Sequence, residues 1–379
     1  MRDIPSIKKL AIVLVVTTAM ASLFSCSKQA KVITAASEAI NQRDYNQTLN
    51  TILELNDDDI LKSDTLMQLL STAYYGKQLK PQHNVAIDCY DFDITPSGDA
   101  IIFTDFHNGS LNVYSYPELK LQRTILLPTK AYNIDISPNG TILAAAMAEN
   151  TVILYDLSSG QKLKVLEGHT NRVRDVKFRD EGFLFSCSND QKIAAWDVAT
   201  GEPHWGKHQH SKNIKNLQLS NDGTKLITAS NDGTASILTA VGENVGAEEL
   251  RVIHGDNYVN DAAVTPDNKY LVTVSGDGYA KIWNAEDGRS EHYLFLNDPL
   301  GAVDISDNGK LILVGGRRFV YVIETGTGNV VAKIPGSNKP IWSVKFIDNS
   351  HFAFADNSRF WQGEILTGEK LLTAAKTAN

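Results

Sequence analysis

Turns containing glycine return along most of this chain at a nearly constant interval. They fall at Ser159-Gly160, Thr200-Gly201, Val241-Gly242, Asp287-Gly288, Thr327-Gly328 and Thr367-Gly368, and successive glycines are 41, 41, 46, 40 and 40 residues apart. A turn at Tyr116-Pro117-Glu118 adds one earlier unit. Between the turns lie short alternating polar and apolar runs, the pattern of strands. A period in the low forties predicts four-stranded blades, each of which needs its neighbours to bury its faces.

The first strands align as YDFDITPSG, YNIDISPNG, RVRDVKFRDEG, IKNLQLSNDG, VNDAAVTPDN, GAVDISDNG and WSVKFIDNS, starting near residues 90, 132, 172, 214, 259, 301 and 342. Seven wedge-shaped sheets close a ring without long free edges. The expected fold is all-β: a seven-bladed β-propeller over residues 84–379, preceded by a short α-helical segment. The ring closes in one of two ways. Either Val85-Ala86-Ile87 supplies the outer strand of the last blade, or Lys370-Leu371-Leu372-Thr373 does.

Residues 26–83 have another texture. Val32, Ala35, Ala36, Ala39 and Ile40 fall at helical spacing, as do Leu49, Ile52, Leu53 and Leu55, and then Leu66, Leu69, Leu70, Ala73 and Tyr74. Asn41–Tyr45 and Asp57-Asp58-Asp59 read as breaks, and Ser63 or Asp64 as the cap of the third helix. The stretches AINQRDYNQTLNTILEL and LMQLLSTAYYGK resemble about one and a half tetratricopeptide units, without most of that family's signature positions. So small a fragment cannot bury its own apolar face. It must lean on the neighbouring domain, pair with a copy of itself or hold a partner, and a packed cap or spacer is the plainest reading.

Residues 1–25 read as a targeting segment. Arg2, Lys8 and Lys9 precede an apolar or small run from Leu10 to Phe24, the layout of a secretory signal. The run is shorter than the roughly 20 residues of a comfortable span, and no basic stop-transfer cluster follows, which argues against a transmembrane anchor. Leu23-Phe24-Ser25-Cys26 resembles a bacterial lipobox, with Phe24 bulkier than usual. That resemblance implies cleavage after Ser25, lipid on Cys26 and a place in the bacterial cell envelope. Ser27 resembles an outer-membrane sorting signal, so the expected location is the outer membrane, facing the periplasm or the surface. The chain carries a net charge of −8, and Arg2, Lys8 and Lys9 against Asp3 leave −10 after cleavage. An acidic balance disfavours nucleic acid as a partner. Cys89 and Cys187, far apart in strand-like stretches, read as buried small hydrophobes.

Gly168-His169 with Ser188-Asn-Asp190-Gln-Lys-Ile-Ala-Ala-Trp196-Asp197 resembles a WD-repeat blade, and so does Ser275-Gly-Asp277-Gly-Tyr-Ala-Lys-Ile-Trp283-Asn284. The resemblance implies a structural network of His169, Ser188 (or Ser186), Asp190 and Trp196, and of Ser275, Asp277 and Trp283 in the second blade. His254 precedes its glycine instead of following it. A buried indole N–H needs an acceptor, and a hydroxyl–imidazole–carboxylate chain supplies one. Elsewhere the pattern decays: Tyr114, Tyr155, Leu238 and Ile323 stand where the Trp belongs, and Trp361 falls two places early.

No constellation for catalysis stands out. His204, His208 and His210 form the best metal-like cluster, with His208 and His210 on one strand face, but no cysteine or carboxylate group accompanies them. A G-x-S-x-G elbow and a dinucleotide loop are absent. The reading is of no catalytic residue, no metal and no cofactor. Residues leading into the first strands should form one rim around the channel mouth, among them Tyr132, Arg172, Arg174, Lys215, Tyr258 and Trp342. Tyr, Trp and Arg dominate interface energetics. The expected function is a membrane-anchored, non-catalytic scaffold that docks other proteins on this rim. The alternative is a lactonase-like enzyme, or a small-ligand or polysaccharide binder, using the channel mouth.

Overall fold

The computed structural model describes residues 28–79, 89–242, 245–356 and 359–378. Its propeller unit holds seven antiparallel sheets, each a meander in chain order. Sheet 1 runs from β1 (Phe92–Ile94) to β4 (Leu121–Leu126), and sheet 2 from β5 (Ala131–Ile136) to β8 (Lys162–Glu167). Sheet 3 runs from β9 (Val173–Phe178) to β12 (Pro203–His208), and sheet 4 from β13 (Ile214–Leu219) to β16 (Glu248–Ile253). Sheet 5 runs from β17 (Val259–Val264) to β20 (Ser290–Phe295), and sheet 6 from β21 (Leu300–Ile305) to β24 (Val330–Pro335). Sheet 7 runs from β25 (Ile341–Phe346) to β27 (Arg359–Glu364) and has three strands among the described residues. The seven-bladed expectation holds.

Burial follows strand order. The two middle strands of a blade are buried on both faces, as in β10 (Phe183–Ser188) and β11 (Lys192–Asp197). Such strands read as continuous apolar runs. The outermost strand, as in β8, is mostly exposed. Apolar clusters lie between neighbouring sheets: Ile102 and Leu111 of sheet 1 pack with Ile134 and Ala145 of sheet 2. Phe92 and Phe103 of sheet 1 pack with Ala353 and Phe360 of sheet 7, which joins the end of the ring to its beginning. At the Asn231-Asp232-Gly233 turn of sheet 4, Gly233 adopts φ +84°, and a side chain there would run into the Gly255 carbonyl.

The structure corrects the closure and the boundary. Lys370–Thr373 is no strand: it lies in a helix, α5 (Gly368–Ala378). Val85–Ile87 lies outside the described residues, as do Cys26 and the segment before it. The last propeller strand ends at Glu364, so the propeller stops short of residue 379. Residues from 366 on group with the N-terminal helices and with residues 331–334 in a second compact unit.

That unit contains α1 (28–41), α2 (Tyr45–Ile52), α3 (Asp57–Leu61), α4 (Asp64–Gln78) and α5. Asp57-Asp58-Asp59, expected as a break, forms the first turn of α3, where carboxylates favour the helix dipole. Ser63 is the cap of α4, accepting the Leu66 N–H at 3.3 Å. The apolar face that the helical segment could not cover alone is covered by α5: Leu49, Leu66 and Leu70 share a core with Leu371, Leu372 and Ala375. Leu366 N–H donates to the Tyr75 hydroxyl at 2.7 Å, and Lys376 pairs with Asp57 at 2.6 Å.

Sheet 3 carries a complete polar network. The buried Trp196 indole donates to Ser186 Oγ at 2.8 Å; Ser186 meets His169 Nε2 at 2.8 Å, and His169 Nδ1 meets Asp190 at 2.9 Å. Partial burial opposes ionisation of Asp190, but His169 and the N–H groups of Thr170 and Lys192 bring its carboxyl down to about 2. Ser186, not Ser188, occupies the linking place. Strand register explains this: Trp196 lies opposite Leu184, so Ser186 is its diagonal neighbour and Ser188 is one pleat farther, roughly 7 Å along the strand. Ser188 instead accepts the Asp190 N–H at 3.0 Å. Sheet 5 repeats the correction. Trp283 lies opposite Leu271 and donates to Thr273 at 2.8 Å, His254 Nδ1 meets Thr273 at 2.7 Å, and Ser275 accepts the Asp277 N–H at 3.3 Å. His254 therefore belongs to the network, with Asp277 at 3.8 Å from its Nε2.

Three substitutions separate these roles. Trp196→Ala removes a large buried aromatic and should cost about 3–5 kcal/mol. Ser186→Ala leaves an indole N–H and an imidazole nitrogen short of a partner and should cost about 1–3 kcal/mol. Urea unfolding should show Ser188→Ala to be the milder of the two serine changes; the reverse order would contradict the network.

Candidate interaction face at the channel mouth

The innermost strands line a central channel, and an inward carboxylate or amide on one blade reaches the backbone of the next. Asp91 accepts the Ile134 N–H at 3.2 Å, Asp135 that of Phe178 at 2.7 Å and Asp175 that of Leu217 at 3.0 Å. Asp261 accepts the Val303 N–H at 2.8 Å, and Asp304 that of Phe346 at 2.7 Å. Sheet 7 closes the circle: Ser343 donates to Asp91 at 2.8 Å and Lys345 to Asp93 at 2.6 Å. Lys177 adds a bond to Asp135 at 3.2 Å.

Burial dominates the electrostatics of this ring. It pushes Asp175 up to about 7, against the pull of Lys177, and Asp135 and Asp304 up to about 6. Asp261 is pushed well up for the same reason. Burial also works against the charge of Lys177, but Asp135 and Asp175 outweigh it and hold the ammonium well above its usual range. These carboxylates cluster, yet each is engaged by the neighbouring blade. Among the described residues no three His, Cys, Asp or Glu side chains form a group able to hold a metal ion. His208 is exposed, while His210 turns inward to Thr228 at 2.8 Å and Asp232 at 3.0 Å, so the pair does not act together. His210 belongs to the structural network of sheet 4, where Leu238 replaces the indole.

The residue just before each inward position forms the mouth. A regular strand would turn adjacent side chains to opposite faces. Here the ladder slips at this point in sheets 2 to 7, with Tyr132, Arg174, Lys215, Asn260, Gly301 and Trp342 as the extra residues. Such bulges re-aim a side chain. All six, with Tyr90 and Phe106 of sheet 1, line a cavity of about 520 Å³ over the channel. Gly301 makes room for its neighbour: a Cβ there would lie 3.0 Å from the Trp342 ring.

Aromatic rings gather on one side of the mouth. Tyr90 stacks parallel to Trp342 with centroids 6.3 Å apart, and meets Phe106 at 4.4 Å and Tyr132 at 5.9 Å. The Arg174 guanidinium lies over the Tyr132 ring at 4.0 Å, and Arg172 donates to the Tyr132 hydroxyl at 3.4 Å. Of the expected rim residues, Tyr132, Arg174, Lys215 and Trp342 line the cavity and Arg172 adjoins it. Tyr258 is 52% exposed but lies outside the lining. Tyr90, Phe106 and the carboxylate ring went unread in the sequence, although Tyr90 precedes Asp91 just as Tyr132 precedes Asn133.

Comparison with known proteins agrees with this architecture. Residues 160–197, 202–237 and 247–284 match the WD40 family, described as WD domain, G-beta repeat. The WD repeat-containing protein WDS homolog of Arabidopsis thaliana is 27% identical over 206 residues, 52% of this chain and 39% of that protein. DDB1- and CUL4-associated factor 10 of Homo sapiens is 27% identical over 154 residues, 40% of this chain and 27% of that protein. Eukaryotic translation initiation factor 3 subunit I of Neosartorya fischeri is 24% identical over 213 residues, 51% of this chain and 62% of that protein. The chain thus spans between about a quarter and three fifths of the length of these relatives. It carries WD40 repeats within a seven-bladed propeller.

The raised pKa of Asp175 has a definite sign. The folded state binds the proton more tightly than the unfolded chain, whose carboxyl titrates near 4. The contribution to stability is therefore full below pH 4 and is lost as pH rises through about 7. The stability of the wild type relative to Asp175→Asn should fall between pH 4 and 8, by an amount on the order of a few kcal/mol. Thermal unfolding at matched pH checks it, and a gap that does not change with pH would contradict it.

Proposed function

We propose that the protein is a non-catalytic docking platform that presents the channel mouth to another protein, held in a bacterial envelope by lipid on Cys26. The observation that carries the docking reading is the division of labour at the channel. The inward carboxylates are spent on joining blades, while Tyr90, Tyr132, Trp342 and Arg174 converge at the mouth. Aromatic residues and arginine are the side chains that anchor protein interfaces. The relatives lend support by name, one as an associated factor and another as a subunit. The lipid anchor and the outer-membrane location rest on the sequence around Cys26 alone, and the relatives compared are eukaryotic.

The second reading, an enzyme or small-ligand binder at the mouth, draws on one observation: carboxylates do cluster inward. Against it, the hydrogen bonds of Asp91, Asp135, Asp175, Asp261 and Asp304 go to the next blade, and burial raises all five above the usual carboxylate range, Asp175 to about 7.

Two measurements test the proposal. Cys26→Ser should move the protein from the membrane to the soluble fraction, and continued anchoring would refute lipidation. A photo-crosslinking residue at Trp342 should yield a defined adduct in cells, identified by mass spectrometry, whereas one at exposed Leu163 on β8 should not. Equal or reversed labelling would move the docking face away from the mouth.

A further inference from the structure

The cations deep in the channel are paired: Lys177 with Asp135 at 3.2 Å, Lys345 with Asp93 at 2.6 Å. Two arginines farther out are paired as well, Arg179 with Asp180 at 2.7 Å and Arg251 with Glu248 at 2.6 Å. Arg174 and Lys215 stand out among the cavity's cations. Both line the mouth, on adjacent blades, and neither has a carboxylate at ion-pair distance among the described residues. Arg174 Nε is buried without an acceptor. Burial first, and the Arg174 charge second, bring Lys215 down to about 8.

Two uncompensated cations held close together in a partly buried site are unfavourable, and one anion between them relieves both the repulsion and the orphaned donor. The bulges at both residues turn the two side chains toward the cavity, where a ligand would meet them. The aromatic shelf of Tyr90, Phe106, Tyr132 and Trp342 stands beside them. The cavity, at about 520 Å³, admits an inserted side chain with its flanking residues.

We infer that Arg174 and Lys215 form a carboxylate clamp, which receives an aspartate or glutamate of an acidic partner segment while the aromatic shelf packs the neighbouring apolar residue. One carboxylate is enough to answer the orphaned donor and to separate the two cations. The inference rests on the docking reading and names the chemistry of its partner.

Fluorescence anisotropy on the detergent-solubilised full chain tests it, with a labelled decapeptide of alternating serine and glutamate around one tryptophan. The wild type should bind this peptide at least tenfold more tightly than its Glu→Gln counterpart, and the preference should shrink as salt rises. Arg174→Gln with Lys215→Gln should abolish the preference, and Arg289→Gln, an exposed cation elsewhere, should keep it. Equal binding of the glutamate and glutamine peptides by the wild type would overturn the clamp without recourse to any variant. So would a preference that survives the double substitution, or tighter binding of a phosphoserine peptide. Crosslinking at Trp342 without any acidic preference would sink the clamp and leave docking standing. Acidic preference without crosslinks in cells would support the clamp and sink the docking reading.

Discussion

Most junctions between the blades depend on carboxylates that leave their own blade. A ring of separate sheets has no covalent or ladder continuity from one blade to the next, only the chain passing through a turn. Apolar packing between sheets is strong but tolerant of sliding. A buried carboxylate that accepts a backbone N–H of the neighbouring first strand has little such tolerance: a slip of one residue would leave the charge without its donor. Asp91, Asp135, Asp175, Asp261 and Asp304 each make that bond, and five junctions are pinned in this way. The junction between the last blade and the first has the same need and meets it with different groups, Ser343 and Lys345 reaching Asp91 and Asp93. The first blade's acids thus serve two neighbours, and the ring is closed at its centre as well as in its apolar layer.

The WD-type network has a more local task. It ties the third strand of a blade to the loop entering it; sheet 3 has the full set with an indole, and sheet 5 has the indole, hydroxyl and imidazole with its carboxylate 3.8 Å away. Sheet 4 keeps histidine, threonine and carboxylate without the indole, which shows that the imidazole bridge can stand alone. Sheet 6 has an acid in the entering loop, where sheets 3 to 5 have histidine, and the Tyr321 hydroxyl donates to this Asp298 at 3.3 Å. In sheet 7 the Trp361 indole donates directly to Asp356 at 3.2 Å. Sheets 3 to 7 each bury polar groups against an apolar sheet and satisfy them with the donors their residues provide.

Much of this could be read in advance. The glycine interval and the first-strand alignment yield the blade count because turn chemistry and period-2 patterning are local properties. The linking residue of the network was legible only to within two positions. Ser186 and Ser188 face the same way, and register alone decides which one meets Trp196. The C-terminal helix escaped because Lys370-Leu371-Leu372-Thr373 is too short to show its period, and its apolar face has meaning only beside Leu49 and Leu70. Tyr90 and Phe106 escaped because they lie just outside the strands of sheet 1, where no alternating pattern marks them. In sheets 2 to 7 bulges put consecutive residues on the channel side, and a bulge leaves no mark in an alternating pattern except an apparent break.

Those bulges explain how one fold can keep a fixed interior and a variable mouth. In six of the seven first strands one position carries a polar group toward the ring, and its choices are narrow: Asp91, Asn133, Asp175, Asn216, Asp261 or Ser343; sheet 6 has Ala302 there and uses Asp304 instead. The preceding position is freed from both the ladder and the apolar core, by a bulge in sheets 2 to 7 and by lying ahead of the strand in sheet 1, and it varies widely: Tyr90, Tyr132, Arg174, Lys215, Asn260, Gly301 and Trp342. Its seven members differ in charge, size and polarity although the backbone around them repeats. Two of them are cations directly above an acidic ring, on a chain whose net charge is −8. The ring's carboxylates are already turned toward backbone N–H groups, so they do not neutralise that pair. The positive side of the mouth is therefore a consequence of how the blades are joined, and whatever binds there must bring its own negative charge.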